Sequence, residues 1–286
     1  MTQVSVIIPT FNRKDRLQKA VSSVLNQTFT DYEIIVVDDG SVDGTLDSLS
    51  PFKDSIQLIR HPINRGVSAA RNSGIAASRS PFVAFLDSDD HWMPEKLKAQ
   101  VGFFKKNREA VACQTEEIWI RNGIRVNPKK KHIKPSGVIF EQSLKRCLVS
   151  PSAVMLRRSL FDIVGLFDED FPVCEDYDLW LRICCRYPIH LIKKSLVVKE
   201  GGARDQLSAS RKGMDRFRIK AMLNLLESGR LSRDQIEMVQ REMEIKCRIY
   251  GEGCMKRGKR DEGSYYLKLP DEIRQFSRKG SKRNDL

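Results

Sequence analysis

The first ninety residues alternate between short apolar runs and amphipathic segments. That alternation restricts the fold more than any other property of the chain. Val4–Ile8, Glu33–Val37, Ile56–Arg60 and Phe82–Leu86 have strand length and strand composition. Between them, Asp15–Leu25, Val42–Ser50 and Val67–Ser78 carry helical periodicity. This rhythm predicts a mostly parallel sheet with right-handed crossovers. In such sheets ligands bind beyond the carboxyl ends of the strands. Those ends carry Pro9-Thr10-Phe11-Asn12, Asp38-Asp39-Gly40-Ser41 and Asp87-Ser88-Asp89-Asp90. Three polar turns therefore converge on one edge by topology alone.

The third turn is the most unusual. An apolar strand ends in three carboxylates within four residues. Their repulsion would destabilise an uncompensated loop. A divalent cation, or a cation carrying phosphates, would relieve it. A solvated loop or a helix cap before Pro94 would satisfy the same residues. In an extended segment Asp87 and Asp89 share a face, so both could meet one site.

Beyond residue 90 the pattern changes. Glu95–Lys106 reads as a helix, 110–126 as a strand with a turn at Asn122-Gly123, and Lys129–Lys134 as an exposed loop. A strand near Ala153–Leu156 and a helix near Ser159–Val164 follow. Glu175-Asp176-Tyr177-Asp178 opens a helix to about Arg186, and 189–199 returns to strand character. From Ser208 to Tyr266 the chain is helical, with breaks at Ser228-Gly229 and Gly258. Arg278–Leu286 is polar and expected to lack structure.

Composition limits the function classes. No apolar run reaches membrane-spanning length, and the N-terminus begins with a strand rather than a signal-peptide pattern. A cytoplasmic location is expected. The seven cysteines form no C-x-x-C pair, which argues against a zinc site or a disulfide framework. The formal net charge is +13. Residues 211–286 supply much of it, with 20 Lys and Arg against 12 Asp and Glu. Such an excess points to anionic partners: nucleotide phosphates, acidic lipid headgroups or anionic glycans. No aromatic-plus-basic stripe or binding helix supports a nucleic acid partner.

Five blocks, in order, resemble the GT-A-fold, family 2 nucleotide-sugar glycosyltransferases. They are Val4–Arg13, Ile34–Thr45, Asn64–Asn72, Phe85–Asp90 and Glu175–Arg182. The resemblance covers residues 1 to about 210. It implies an α/β GT-A (Rossmann-like) fold, a mostly parallel mixed sheet flanked by helices. Residues 1–90 would form the nucleotide-binding half and 91–207 the acceptor-binding half. A helical appendage over 208–267 and a basic, flexible tail over 268–286 would follow.

The resemblance also implies roles. Asp39 would accept a hydrogen bond from the uracil ring, with Pro9, Thr10 and Phe11 walling the base. Asn12, Gly40 and Ser88 complete the expected donor-binding set. Arg71 would pair with phosphate or with Asp39. Asp89 would bind a divalent cation, Mg²⁺ or Mn²⁺, and Asp87 the ribose or the metal shell. Asp90 is a secondary metal candidate. Trp92 would pack on the sugar or fill the core. Asp176 would be the general base of an inverting transfer, although by spacing Glu175 serves equally. Either acid could instead simply complement the helix dipole. Relatives often place a metal-binding histidine near Gly202; here Ala203-Arg204-Asp205-Gln206 follows it, leaving the third ligand open. His61, His91, His132 and His190 are scattered and read as non-catalytic.

The function expected from these residues is sugar transfer from a nucleoside diphosphate, most readily UDP, to a hydroxyl of a glycan or lipid-linked acceptor. Peripheral contact with the inner membrane face through the basic surface, and a homodimer through the extra helices, are further expectations. The alternative is a catalytically silent nucleotide-sugar-binding or scaffold protein on the same fold.

Overall fold

A computed structural model describes residues 2–127, 132–201 and 213–281. Its strands are β1 (Val4–Thr10), β2 (Tyr32–Asp38), β3 (Gln57–Arg60), β4 (Phe82–Phe85), β5 (Asp90–Trp92), β6 (Ala112–Arg121), β7 (Ile124–Val126), β8 (Val154–Arg157) and β9 (His190–Gly201). Its helices are α1 (Lys14–Leu25), α2 (Val67–Ala77), α3 (Lys96–Lys106), α4 (Phe140–Lys145), α5 (Leu160–Val164), α6 (Glu175–Cys184), α7 (Asp215–Glu227), α8 (Arg233–Lys256) and α9 (Arg260–Ser281).

The strands form one mixed sheet in the order β3-β2-β1-β4-β8-β6-β9-β5, with β7 paired to β6. The first four are mutually parallel, as the strand–helix rhythm requires. The chain runs outward from β1 to β3 and returns to place β4 on the other side of β1. This reversal opens a crevice at the carboxyl ends of β1 and β4.

Strand alternation explains the continuous apolar runs. Ile7, Ile35, Val37, Val83 and Phe85 face one core, shared with α2, α5 and α6. Val6, Ile8, Ile34, Val36, Ala84 and Leu86 face the other, against α1 and α3. A sheet covered on both faces needs apolar residues at every position. Helix α1 buries Leu17, Ala20, Val21 and Val24, the i, i+3, i+4, i+7 stripe of a surface helix.

Three expectations need correction. Val42–Ser50 is not an amphipathic helix; a short 3₁₀ turn over Asp47–Phe52 replaces it. Gly40 and Gly44 take positive φ, and the Asp43 carboxylate accepts the Thr45 N–H at 2.9 Å. Such a side chain offers the backbone an alternative to the helix ladder. Lys134 is not a solvated loop residue. Only 11% of its side chain is exposed, and its ammonium lies 3.1 Å from Glu117 Oε1. The rest of that basic run, through Lys131, falls outside the described residues. Helix α9 continues to Ser281, past Arg278, where coil was expected. The helical appendage itself is packed on the domain: Ile219, Met222, Leu225, Met243 and Cys247 of α7 and α8 join the cluster of Tyr177 and Trp180 of α6.

Candidate active site

A cleft of about 1270 Å³ opens at the carboxyl ends of β1, β2 and β4 and runs to the start of α6. It brings together Pro9, Thr10, Phe11, Asp39, Arg71, Asp87, Ser88, Asp89, Glu175 and Asp176. Asn12 and Gly40, both expected to bind donor, do not line it. Asn12 instead ties two loops, its backbone N–H donating to Ser41 Oγ (2.8 Å) and its Oδ1 accepting from Val42 N–H (3.0 Å). Gly40 has φ of 79°, and a Cβ there would stand 2.7 Å from the Ile63 carbonyl carbon. The two residues build the loop that carries Asp39.

The Asp39 carboxylate is held from three directions. Its Oδ1 accepts the Arg65 backbone N–H (2.9 Å) and faces His61 Nδ1 (2.7 Å). Its Oδ2 accepts the Gly66 N–H (2.8 Å). A carboxylate only accepts, so His61 carries a hydrogen on Nδ1, while its Nε2 lies 2.9 Å from the Ser73 hydroxyl. Among the described residues Oδ2 accepts the Gly66 N–H as its single hydrogen bond. Thr10 Oγ1 is buried in the same wall without a hydrogen-bond partner. Phe11 lines the cleft and is 41% exposed. His61, expected to be non-catalytic, holds the Asp39 carboxylate in place. Its only sequence signal is its position at the end of β3, on the same edge as Asp39.

Arg71 does not reach Asp39, whose oxygens are already engaged. It donates through Nη2 to Asp87 Oδ1 (2.8 Å) and through Nη1 to Glu175 Oε1 (2.7 Å). Its guanidinium also lies 5.2 Å from the Phe167 ring centroid. Burial would disfavour the cation, but the two carboxylates outweigh that and hold it charged. Burial likewise pushes the Asp87 carboxyl up, while Arg71 and Lys199 pull it further down, below its ordinary value. Arg71 thus ties the acidic loop to the helix bearing Asp176.

The acidic loop is fixed by residues that motif reading missed. Asp90 stands opposite Lys199 in the β5–β9 pair, and the ammonium donates to its Oδ2 at 2.8 Å. Ser152 Oγ donates to the same oxygen (2.6 Å) and accepts the Asp87 N–H (3.1 Å). Asp90 is therefore a structural anchor. Trp92 is also structural: it is 3% exposed and donates its ring N–H to Ser152 O at 2.8 Å. Asp89 differs from its neighbours. It lines the cleft and no hydrogen bond or ion pair engages it among the described residues, with Arg13 and Asp90 as electrostatic neighbours.

Among the described residues, no three His, Cys, Asp or Glu side chains could hold a metal by themselves. The donor set still fits a hard cation. Mg²⁺ and Mn²⁺ complete their shells with substrate phosphates and water, needing only one or two protein carboxylates. Asp89, lining the cleft without a hydrogen bond or ion pair among the described residues, would meet that need. The stretch Ala203–Gln206, where a further ligand was sought, lies outside the described residues.

Helix α6 starts from Cys174, a non-glycine residue with φ of 64°. Such a backbone stores strain that the surrounding packing must hold. It places Glu175 and Asp176 in the first turn. Glu175 is buried against Arg71; burial, then Asp176, pushes its carboxyl up, with Arg71 opposing. Asp176 faces the cleft. Its Oδ1 accepts the Tyr177 N–H (2.7 Å) and its Oδ2 the Cys147 thiol (3.3 Å). The site therefore separates the two acids: one is consumed by an ion pair, while the other is oriented toward open space.

A family model described as glycosyl transferase family 2 matches residues 5–164. The chain belongs to that family. It is 35% identical over 181 residues to the Escherichia coli UDP-Glc:alpha-D-GlcNAc-diphosphoundecaprenol beta-1,3-glucosyltransferase WfgD, covering 63% of this chain and 69% of that one. A second E. coli enzyme of the same description, WfaP, is 33% identical over 189 residues, covering 64% of this chain and 70% of that one. The fold matches the crystal structure of S. aureus TarS 1-349 in complex with UDP-GlcNAc with a TM-score of 0.68. That match is 17% identical and covers 96% of this chain and 92% of the other. Among the described residues of this family 2 glycosyltransferase, no helix is long and apolar enough to cross a membrane.

Proposed function

We propose that this glycosyltransferase moves a sugar from UDP to a hydroxyl of a lipid-linked or polysaccharide acceptor, with inversion at the anomeric carbon. The observation that carries the reading is Asp176, a carboxylate oriented into the cleft across from the Asp39 and Asp89 walls. The acceptor class is supported by the names of WfgD and WfaP, and the donor by the UDP-GlcNAc complex of TarS.

In this mechanism Asp39 accepts the base N–H and Phe11 covers the ring. Asp89, with Asp87, would hold Mg²⁺ or Mn²⁺, and that ion when bound would supply positive charge that stabilises the departing diphosphate. The Asp176 carboxylate removes the acceptor hydroxyl proton as its oxygen attacks the anomeric carbon. The bond from that carbon to the β-phosphate oxygen breaks, its electron pair staying with UDP. Arg71 keeps the acidic loop and the base helix in register throughout. Work at the inner face of the membrane suits an acceptor whose lipid is embedded there.

The test is a pair of variants. Asp176→Asn should lower transfer by at least about a thousandfold while UDP affinity stays unchanged, since a general base and its orientation are lost together. Asp89→Ala should abolish the Mn²⁺ dependence of UDP binding. Full activity in Asp176→Asn would refute its role.

A further inference from the structure

We propose that Cys147 is a positioning residue for the base: its thiol holds one oxygen of the Asp176 carboxylate while that group is charged, and turns to the Val149 carbonyl once Asp176 has taken the acceptor's proton. It rests on the general-base reading of Asp176 and adds the residue that aims it. Cys147 lines the cleft together with Asp176. It stands 29 residues before Asp176 in the chain, outside the five blocks that carry the family resemblance.

One hydrogen atom has two acceptors here. The Cys147 Sγ lies 3.3 Å from Asp176 Oδ2 and 3.3 Å from Val149 O. A neutral thiol carries a single S–H, so it serves one of them at a time. Burial, then the charge of Asp176, raises the thiol well above its ordinary value, so it stays protonated and donates. A hydrogen bond to a charged acceptor is the stronger of the two. Before transfer the thiol therefore points at Asp176. During transfer the acceptor O–H bond breaks and its proton binds the carboxylate. A neutral carboxyl is the weaker acceptor, and Val149 O then receives the S–H in its place. The buried donor keeps a partner in both states, and no covalent bond to sulfur forms or breaks.

The surrounding structure braces this contact. With the Tyr177 N–H on Oδ1 (2.7 Å), the thiol engages the second oxygen of Asp176, so both are oriented. The Tyr177 hydroxyl donates to Leu144 O (2.6 Å), which ties the helix bearing the base to the last turn of α4, just before Cys147. Lys246 of α8, buried and paired with Glu242 at 3.0 Å, donates to Lys145 O at 3.1 Å. The segment presenting the thiol is thus pinned by α6 and by a C-terminal helix beyond the matched residues 5–164. A thiol also suits the task chemically. Donors to a carboxylate favour its charged form and so weaken it as a base. An S–H is a weak donor, which orients the base at little loss of basic strength.

The deciding measurement is the infrared S–H stretch of Cys147, which needs no turnover. Subtracting the Cys147→Ser spectrum isolates the band, in wild type and again in an Asp176→Asn background. The wild-type band should lie at lower frequency, because a charged acceptor draws on the S–H bond more than a neutral one does. The same frequency in both would overturn the proposal. A second arm follows UDP release from UDP-glucose with water as acceptor. Cys147→Ala should lower turnover by about tenfold with the donor KM unchanged, and Cys147→Ser should recover most of that loss. Alanine and serine leave nearly the same space, so equal rates in the two would reduce Cys147 to packing and refute its role. A single cooperative thermal transition in each variant shows that it is folded. Wild-type UDP release by Asp176→Asn, with the S–H shift intact, would instead remove the base reading on which the proposal depends.

Discussion

Arg71 shows how far a residue's role can differ from its motif. The sequence placed it correctly on the helix after Gly66 and near the strand ends, but of the two partners it offered, phosphate or Asp39, the second is not the one Arg71 meets. Only the packed structure shows Asp39 already engaged by two backbone N–H groups and His61. Arg71 instead joins Asp87 and Glu175. Its replacement should be severe because two carboxylates would lose their cation, and removing one partner of a buried pair leaves charge uncompensated. Arg71→Met is expected to cost about 3–5 kcal/mol in urea unfolding. Arg71→Met combined with Glu175→Gln should recover part of that loss, since one stranded carboxylate is then removed. Lys199 and Ser152 were invisible for a related reason: neither belongs to an acidic motif, and each acts through a partner more than 45 residues away in the chain.

At the scale of elements, close packing and burial decide the outcomes. Helix α2 crosses β1 so tightly that a Cβ on Gly74 would overlap the Ile7 side chain. Gly74→Ala should therefore destabilise by about 1–3 kcal/mol, despite the better helix propensity of alanine. Thermal unfolding, compared with Gly102→Ala on the open side of α3, would separate the two effects. Helix α3 also holds Lys96, fully buried, donating to Gln100 Oε1 at 2.7 Å and lying 3.8 Å from the Trp92 ring centroid. Burial depresses its pKa to about 7. The unfolded chain, with lysine near its ordinary value of about 10.4, binds more protons between those limits. Stability should then rise with pH from about 7 to about 10, at up to about 1.4 kcal/mol per unit. Below pH 7 both states are protonated and this dependence ends. Urea unfolding of wild type and Lys96→Met across that range should show the slope in the first and its loss in the second. Element existence was largely legible from periodicity. Val42–Ser50 was misread because apolar spacing ignores what Asp43 and two positive-φ glycines do to the backbone.

The whole molecule joins the catalytic half and the C-terminal helices into one packed body. The cluster running through Tyr177 and Trp180 continues into Ile219, Met222 and Leu225 of α7 and Met243 of α8. Helices α8 and α9 meet at Gly251 and Gly263, where each glycine's missing Cβ leaves room for the other helix. Met222→Ala should cost about 2–5 kcal/mol. Because α7 lies against the helix carrying Asp176, far-ultraviolet circular dichroism and tryptophan fluorescence should still report one coincident transition. Two separate transitions would show an independent appendage.

The sequence alone determined the parallel half of the sheet, its carboxyl edge and the acids found there, because period-2 and period-3.6 patterns are local and family blocks are linear. It could not decide which acid stays available. Asp87, Asp90 and Glu175 are consumed by Arg71 and Lys199, whereas Asp89 and Asp176 remain open to the cleft. That division is set by cross-strand register and by charges brought together from distant segments. Only the tertiary structure contains those distances, and ionic interactions depend on distance and burial rather than on spacing along the chain.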